Sequence, residues 1–152
     1  MLDCSSSYGN GGCSGGRPVY ALRYIIANGI TTNAAYPYAG VTQTCQGNGG
    51  AFGITGYTSS SGCASLQVDI ANRPIIVGVD ASTWSKYSSG VFNGCNPTPR
   101  LNHNVLLAGI DSSANWWIKN SWGQRWGEGG YIELLAGNSC GICNISGRLP
   151  YL

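Results

Sequence analysis

His103 is the single histidine of the chain and stands in the run Leu101-Asn102-His103-Asn104-Val105-Leu106. Imidazole is the side chain that exchanges a proton most readily near neutral pH. Seven cysteines supply thiols, the strongest nucleophiles a protein carries. A thiol is mostly protonated at neutral pH, and a neighbouring imidazolium stabilises the reactive thiolate. The imidazolium can then hand its proton to a leaving amine. For that work the ring must be held in one orientation by a third group. Beyond His103 lies a second dense block, Asn120-Ser121-Trp122-Gly123-Gln124-Arg125-Trp126-Gly127-Glu128-Gly129-Gly130-Tyr131. A solitary histidine is more often a satisfied structural residue than a reactive one, so this surrounding pattern decides the reading.

The elements that must position these residues follow from periodicity. Leu2 through Gly16 is rich in Gly, Ser and Cys and reads as loop. Val19, Leu22, Ile25 and Ile26 recur at helical spacing, with Pro18 suited to a first turn and Gly29 to a stop. Tyr36-Pro37-Tyr38 breaks any helix. Thr42 to Gly53 reads as loop, with Gly47-Asn48-Gly49-Gly50 its most flexible part. Cys63 to Asn72 reads as a short helix ending before Pro74. Ile75–Val79, Val105–Ile110, Trp116–Lys119 and Gly130–Leu135 read as strands between turn-rich loops, which suggests an antiparallel sheet or barrel. The chain thus has a helical front and a β-rich remainder.

Bulk properties narrow the class. A chain of 152 residues suits one domain or two small ones. Abundant glycine, sparse charge and widely spaced cysteines fit an oxidising, extracellular or vesicular setting. A net charge of +2 with scattered Lys and Arg argues against a nucleic-acid surface. No run approaches the roughly eighteen apolar residues of a spanning helix, so no membrane association is expected. No basic-then-apolar leader opens the sequence. A disulfide-type chain without an export signal is expected to be missing something upstream.

The collinear series Asp-Cys-Ser, Gly-Cys-Ser-Gly-Gly, Tyr-Pro-Tyr, Asn-His, Lys-Asn-Ser-Trp-Gly, Trp-Gly, Gly-Tyr and Cys-Gly-Ile resembles the papain-like, cathepsin L-like cysteine proteases over essentially the whole chain. The resemblance implies that His103 is the acid/base, Asn120 its orienter, and Trp122 an apolar cover that keeps water off their hydrogen bond. An amide oxygen can orient the ring without adding charge. In that family the nucleophile sits in Cys-Gly-Ser/Ala-Cys-Trp/Tyr, about 130–150 residues before the histidine. No such segment occurs here, and the oxyanion-hole glutamine that precedes it is absent too. Cys140-Gly141-Ile142-Cys143 is only an echo, because it follows the histidine and matches the family's disulfide segment.

By resemblance Cys4 pairs with Cys45 and Cys95 with Cys140. Cys13 matches a cysteine whose partner lies near the nucleophile, so it is expected to be unpaired. Cys63 and Cys143 are not at the family's common cysteine positions; they are expected to bridge to each other, tying the Cys63 helix to the C-terminal strand, with two free thiols as the alternative. The resemblance also implies substrate contacts. Gly15 and Gly16 would offer a bare edge to an extended peptide, where a side chain would block approach. Pro18, Gly78, Asn104 and Ile145 would line the pocket for the residue two before the scissile bond, favouring large apolar side chains. Asn102, before the histidine, joins this substrate-binding set. Arg17 and Asn104 depart from the family's usual residues at their positions.

Other signals are weaker. Trp126, Gly127, Gly130 and Tyr131 read as scaffold. Trp116-Trp117 reads as core and shielding in preference to a carbohydrate platform. Asn144-Ile145-Ser146 is a glycosylation sequon, expected to go unused beside a buried cysteine. No cluster has zinc spacing, so neither metal nor cofactor is expected.

The expectation is an α+β papain-like two-domain fold. Residues 1–53 would be the remnant of a truncated helical domain whose nucleophile-bearing helix is missing. Residues 54–147 would form an antiparallel β-barrel domain, and 148–152 a tail returning to the first. Losing the central helix would bare the stripe Val19, Leu22, Ile25 and Ile26. The expected partners are peptide or protein substrates, with a missing N-terminal segment or a separate chain supplying the nucleophile. The expected location is lysosomal, vacuolar or secreted. Three functional readings remain: a fragment of an active endopeptidase, a non-catalytic peptide-binding decoy, or an unrelated disulfide-rich binding domain.

Overall fold

The computed structural model describes residues 1–47 and 49–152. Asn48, within the glycine loop, lies outside the described residues. The described chain forms two compact units, Met1–Thr58 with Pro150–Leu152, and Ser59–Leu149.

In the first unit, 3-10 turns at Ser6–Tyr8 and Gly12–Ser14 precede helix α1, Pro18–Asn28. Pro18 opens the helix, where its missing N–H would have had no partner. Gly29 closes it at φ 71°, donating its N–H to Ile25 O at 2.8 Å, a backbone that glycine adopts without strain. The expected apolar stripe is redistributed. Leu22 is buried, Val19 and Ile25 are half-buried, and only Ile26 of the four is exposed, at 42%. Tyr24 is buried as well. Its ring meets Tyr8 edge-on at 5.6 Å, and Asn28 Nδ2 bonds both Tyr8 Oη and Tyr24 O at 3.0 and 3.1 Å. An aromatic body with polar partners at its rim rotates the buried face away from Ile26. The Cys4–Cys45 disulfide closes this unit's loops.

Seven strands run in the order β1-β7-β2-β4-β5-β6-β3. They are β1 Gly56–Ser60, β2 Ile75–Val79, β3 Val91–Phe92, β4 His103–Ile110, β5 Trp116–Lys119, β6 Tyr131–Leu134 and β7 Gly147–Tyr151. The pairs β2–β4, β2–β7, β4–β5 and β5–β6 are antiparallel. The short β3 pairs parallel with β6, one exception to the antiparallel expectation. Helix α2 spans Cys63–Asp69 and buries Leu66; it stops three residues short of the expected Asn72.

The core of the second unit is built on alternation. Ile75, Val77 and Val79 of β2, Leu107 of β4, Trp116 and Ile118 of β5, and Ile132 and Leu134 of β6 are all buried. A period of two sends them to one face, and each burial contributes about 1.5–3 kcal/mol. Two disulfides staple this unit, Cys63–Cys143 and Cys95–Cys140. Gly147 lets β7 approach closely, because a Cβ there would lie 2.6 Å from Ile75 and 3.0 Å from Leu66. No helix among the described residues is long and apolar enough to cross a membrane.

Candidate active site

His103 is the first residue of β4 and stands opposite Val79, the last residue of β2. Asn120 follows directly on β5, the next strand of the sheet. The β4–β5 turn is fixed by Asp111, whose carboxylate accepts Ser113 N at 2.9 Å, Asn115 N at 2.8 Å and Asn115 Nδ2 at 3.0 Å. This Asx-type closure sets the register that carries Asn120 back beside His103.

His103 Nε2 lies 2.8 Å from Asn120 Oδ1. An amide oxygen can only accept, so the proton of this bond sits on Nε2. That fixes the tautomer and leaves Nδ1 as the nitrogen able to take a proton from, or give one to, a reacting group. Asn120 Oδ1 also accepts Ser121 N at 2.7 Å, which with His103 pins the side-chain amide, while Asn120 N donates to Gly130 O at 2.9 Å and anchors the backbone. Trp122 lies over the imidazole, with centroids 5.3 Å apart and planes 32° from parallel. The indole is itself backed by Trp126 at 5.0 Å and Trp84 at 6.4 Å. Trp84 is fully buried, meets His103 edge-on at 6.5 Å and directs Nε1–H at Cys140 Sγ, 3.2 Å away. The imidazole is therefore flanked by two indoles, Trp122 and Trp84, with Trp126 behind both, an apolar setting that favours its hydrogen bond.

Of the remaining residues singled out from sequence, Gly78, Asn104 and Ile145 come together. Gly78 is the register partner of Asn104, and a Cβ on Gly78 would fall 2.8 Å from Ile145 Cδ1. Ile145 and Asn104 are exposed. Asn102 is differently engaged. Its Oδ1 accepts Ala81 N at 2.9 Å and its Nδ2 donates to Ser82 Oγ at 2.8 Å and Asp80 Oδ1 at 3.3 Å. The whole amide is used internally.

In the first unit Gly15 and Gly16 are exposed. Gly15 has φ 97°, and a Cβ on Gly16 would collide with the Asn10 side chain, so local geometry alone demands both glycines. Pro18 is the first residue of α1. Cys13 is the free cysteine among the described residues, and it is exposed. Asn144 is exposed, and neighbouring Cys143 is not buried as expected. Its amide is nonetheless turned onto its own loop: Oδ1 accepts Asn138 Nδ2 at 2.7 Å. Trp116 is core, as expected, whereas Trp117 stacks on Tyr131 at 5.5 Å.

Trp84, the second indole beside His103, and the buried carboxylate of Asp80 were not singled out from sequence. Trp84 and Asp80 carry no local signature. Trp126 was read as scaffold, which its hydrogen bond from Nε1 to Trp84 O at 3.3 Å supports.

A histidine held by an asparagine beneath an indole, on an α+β frame, is the arrangement this chain presents. Residues 1–148 match the papain family cysteine proteases, and the chain belongs to that family. A putative cathepsin L 3 of Paramecium tetraurelia is 44% identical over 95% of this chain. The chain spans about half of that relative's length, 46%. Among solved structures, a bromelain protease from Ananas comosus superposes with TM-score 0.85 at 38% identity, covering 99% of this chain and 75% of that one. Digestive procathepsin L 3 of the Tenebrio molitor larval midgut gives TM-score 0.88 at 38% identity, covering 99% of this chain and 53% of the other. The papain-like α+β fold follows from these likenesses.

Proposed function

We propose that this chain carries the imidazole half of a papain-type peptidase centre, and that its 152 residues alone do not hydrolyse peptides. The observation that carries the reading is the 2.8 Å bond between His103 Nε2 and Asn120 Oδ1 beneath Trp122. With Nε2 held, Nδ1 is the nitrogen that would stabilise a thiolate as its imidazolium partner. After the thiolate adds to the scissile carbonyl, that imidazolium would protonate the leaving amine, and water would then cleave the thioester. Asn120 would orient the ring and Trp122 would shield it. The cysteine for this step must come from outside these residues, either from an N-terminal segment of the same protein or from a separate chain.

Peptide or protein substrates would lie along the Gly15–Gly16 backbone. The side chain two residues before the scissile bond would meet Gly78, Asn104 and Ile145. Gly78 leaves room and Ile145 is apolar, which favours a large hydrophobic residue there. Three disulfides support an oxidising compartment, and we read the location as lysosomal, vacuolar or secreted.

The test uses purified chain, reductant and a fluorogenic Phe-Arg substrate. The expected result is no turnover above buffer. Adding a segment containing Cys-Gly-Ser-Cys-Trp should create activity that thiol alkylation abolishes. Thiol-dependent turnover by the chain alone would overturn the reading. Saturable peptide binding with no turnover under either condition would favour the rival, a peptide-binding decoy.

A further inference from the structure

Asp80 is a carboxylate only 2% exposed, in the residue directly after β2. Each of its oxygens is engaged. Oδ1 accepts Ser82 N at 3.0 Å, Ser82 Oγ at 2.5 Å and Asn102 Nδ2 at 3.3 Å. Oδ2 accepts Asn96 Nδ2 at 2.9 Å and Arg100 N at 3.0 Å. Every donor belongs to the stretch from Ser82 to Asn102, the chain that leads into His103. Asn102 adds two links of its own, accepting Ala81 N and donating its backbone N–H to Val79 O at 3.0 Å. Val79 is the register partner of His103.

We infer that Asp80 is a positioning residue for His103: it gathers residues 82–102 onto the end of β2 and, through Asn102, fixes the point at which the imidazole enters the sheet. Three donors from the 96–102 segment, Asn96 Nδ2, Arg100 N and Asn102 Nδ2, converge on the carboxylate and fix that segment's approach more tightly than one would, while Ser82 supplies the other two. The Asn96 amide, followed by the Ser82 hydroxyl, holds its pKa well below the ordinary carboxylate range, so it stays charged wherever the imidazole could exchange protons. No sequence signal marks the role, because Asp80 simply ends an apolar strand as many solvent-facing acids do. The inference rests on the reading of His103 as the proton-transfer group.

The test exploits the solitary histidine, whose ring gives one set of imidazole resonances in the whole 152-residue chain. Solvent exchange of the His103 Nε2 proton is measured by NMR in the unaltered chain, in Asp80→Asn and in Asn102→Ala. The indole proton of Trp116, bonded to Gly137 O at 2.8 Å in the core, is the internal reference. The expected result is exchange faster by about fivefold to tenfold in both variants, the scale of one hydrogen bond, with Trp116 unchanged. If Asp80→Asn does not fold, Asn102→Ala decides, since it cuts the link and leaves four of the carboxylate's bonds in place. Unchanged exchange in a folded variant, or equal acceleration at His103 and Trp116, overturns the inference. A His103 ring with no protected proton in the unaltered chain would instead sink the His103–Asn120 pairing beneath it.

Discussion

Asn120 is placed for orientation at a cost in stability. Its oxygen serves two donors, His103 Nε2 and Ser121 N, while its buried Nδ2 has no partner among the described residues. An orphaned buried donor costs about 1–3 kcal/mol, so folding alone gives no reason for this amide. Trp122 shows the same imbalance. It is 42% exposed and still rests on the imidazole, backed by Trp126 and Trp84. Replacing it should therefore separate stability from site order. Trp122→Ala is expected to lower unfolding free energy by only about 1–2 kcal/mol, from lost aromatic contacts and partial burial. The same change should speed exchange of the His103 ring proton by a larger factor than it speeds exchange in the core. Urea unfolding and ring-proton exchange on one sample check both. A large stability loss with an unchanged ring proton would show that the indole is packing and does not act as a cover.

At the scale of elements, the site hangs on strands β4 and β5, and the strands hang on staples. Cys63–Cys143 joins α2 to the segment entering β7 across 80 residues of sequence. In a chain-entropy account, closing so long a loop stabilises the fold by about 4 kcal/mol. The double variant Cys63→Ala, Cys143→Ala should lose a stability of that order in urea unfolding, and a loss below about 1 kcal/mol would refute the assignment of this bridge as a main support. These elements differ in how far they could be read beforehand. β2 and β5 lie at the expected residues, because Ile75-Ile76-Val77-Gly78-Val79 and Trp116-Trp117-Ile118-Lys119 are β-branched or aromatic runs bounded by turns. β4 begins two residues earlier than expected, at His103, since ladder pairing with Val79 extends it past its apolar run. β1, β3 and β7 were not foreseen. Gly56–Ser60 is polar, Val91–Phe92 is two residues long, and Gly147–Tyr151 contains Pro150, so each is a strand only because a neighbour pairs with it. The site divides the same way. His103 and Asn120 were legible from a dense motif. Gly78 and Ile145 were paired only through the family resemblance, and Asp80 and Trp84 not at all, because these placements depend on contacts between distant segments, which no local pattern encodes.

The whole molecule should report its own packing through pH. Tyr87 is 9% exposed, and its hydroxyl lies 2.8 Å from both Gly90 O and Glu128 Oε1 while accepting Glu133 N at 3.3 Å. Burial first, and then the Glu128 hydrogen bond and charge, push its pKa up to about 12 from an ordinary 10.0. The folded state thus holds this proton more tightly than the unfolded chain does. Its contribution is fully present below pH 10 and is lost as pH climbs from there through about 12, because the unfolded form gains by ionising first. Tyr87 packs against Trp126 at 5.7 Å and Phe92 at 5.9 Å, so loss of its hydroxyl network reaches both the indole wall and the β3 edge. Tyr87→Phe keeps the ring and removes the proton. It should cost about 1–2 kcal/mol at neutral pH, the scale of the lost hydrogen bonds, and should flatten the decline in melting temperature above pH 10. Melting curves across the alkaline range, with Cys13 alkylated to prevent disulfide exchange, test this. A variant as alkali-sensitive as the unaltered chain would mean that the phenol is already open to water, and that the wall behind His103 is looser than the ring contacts imply.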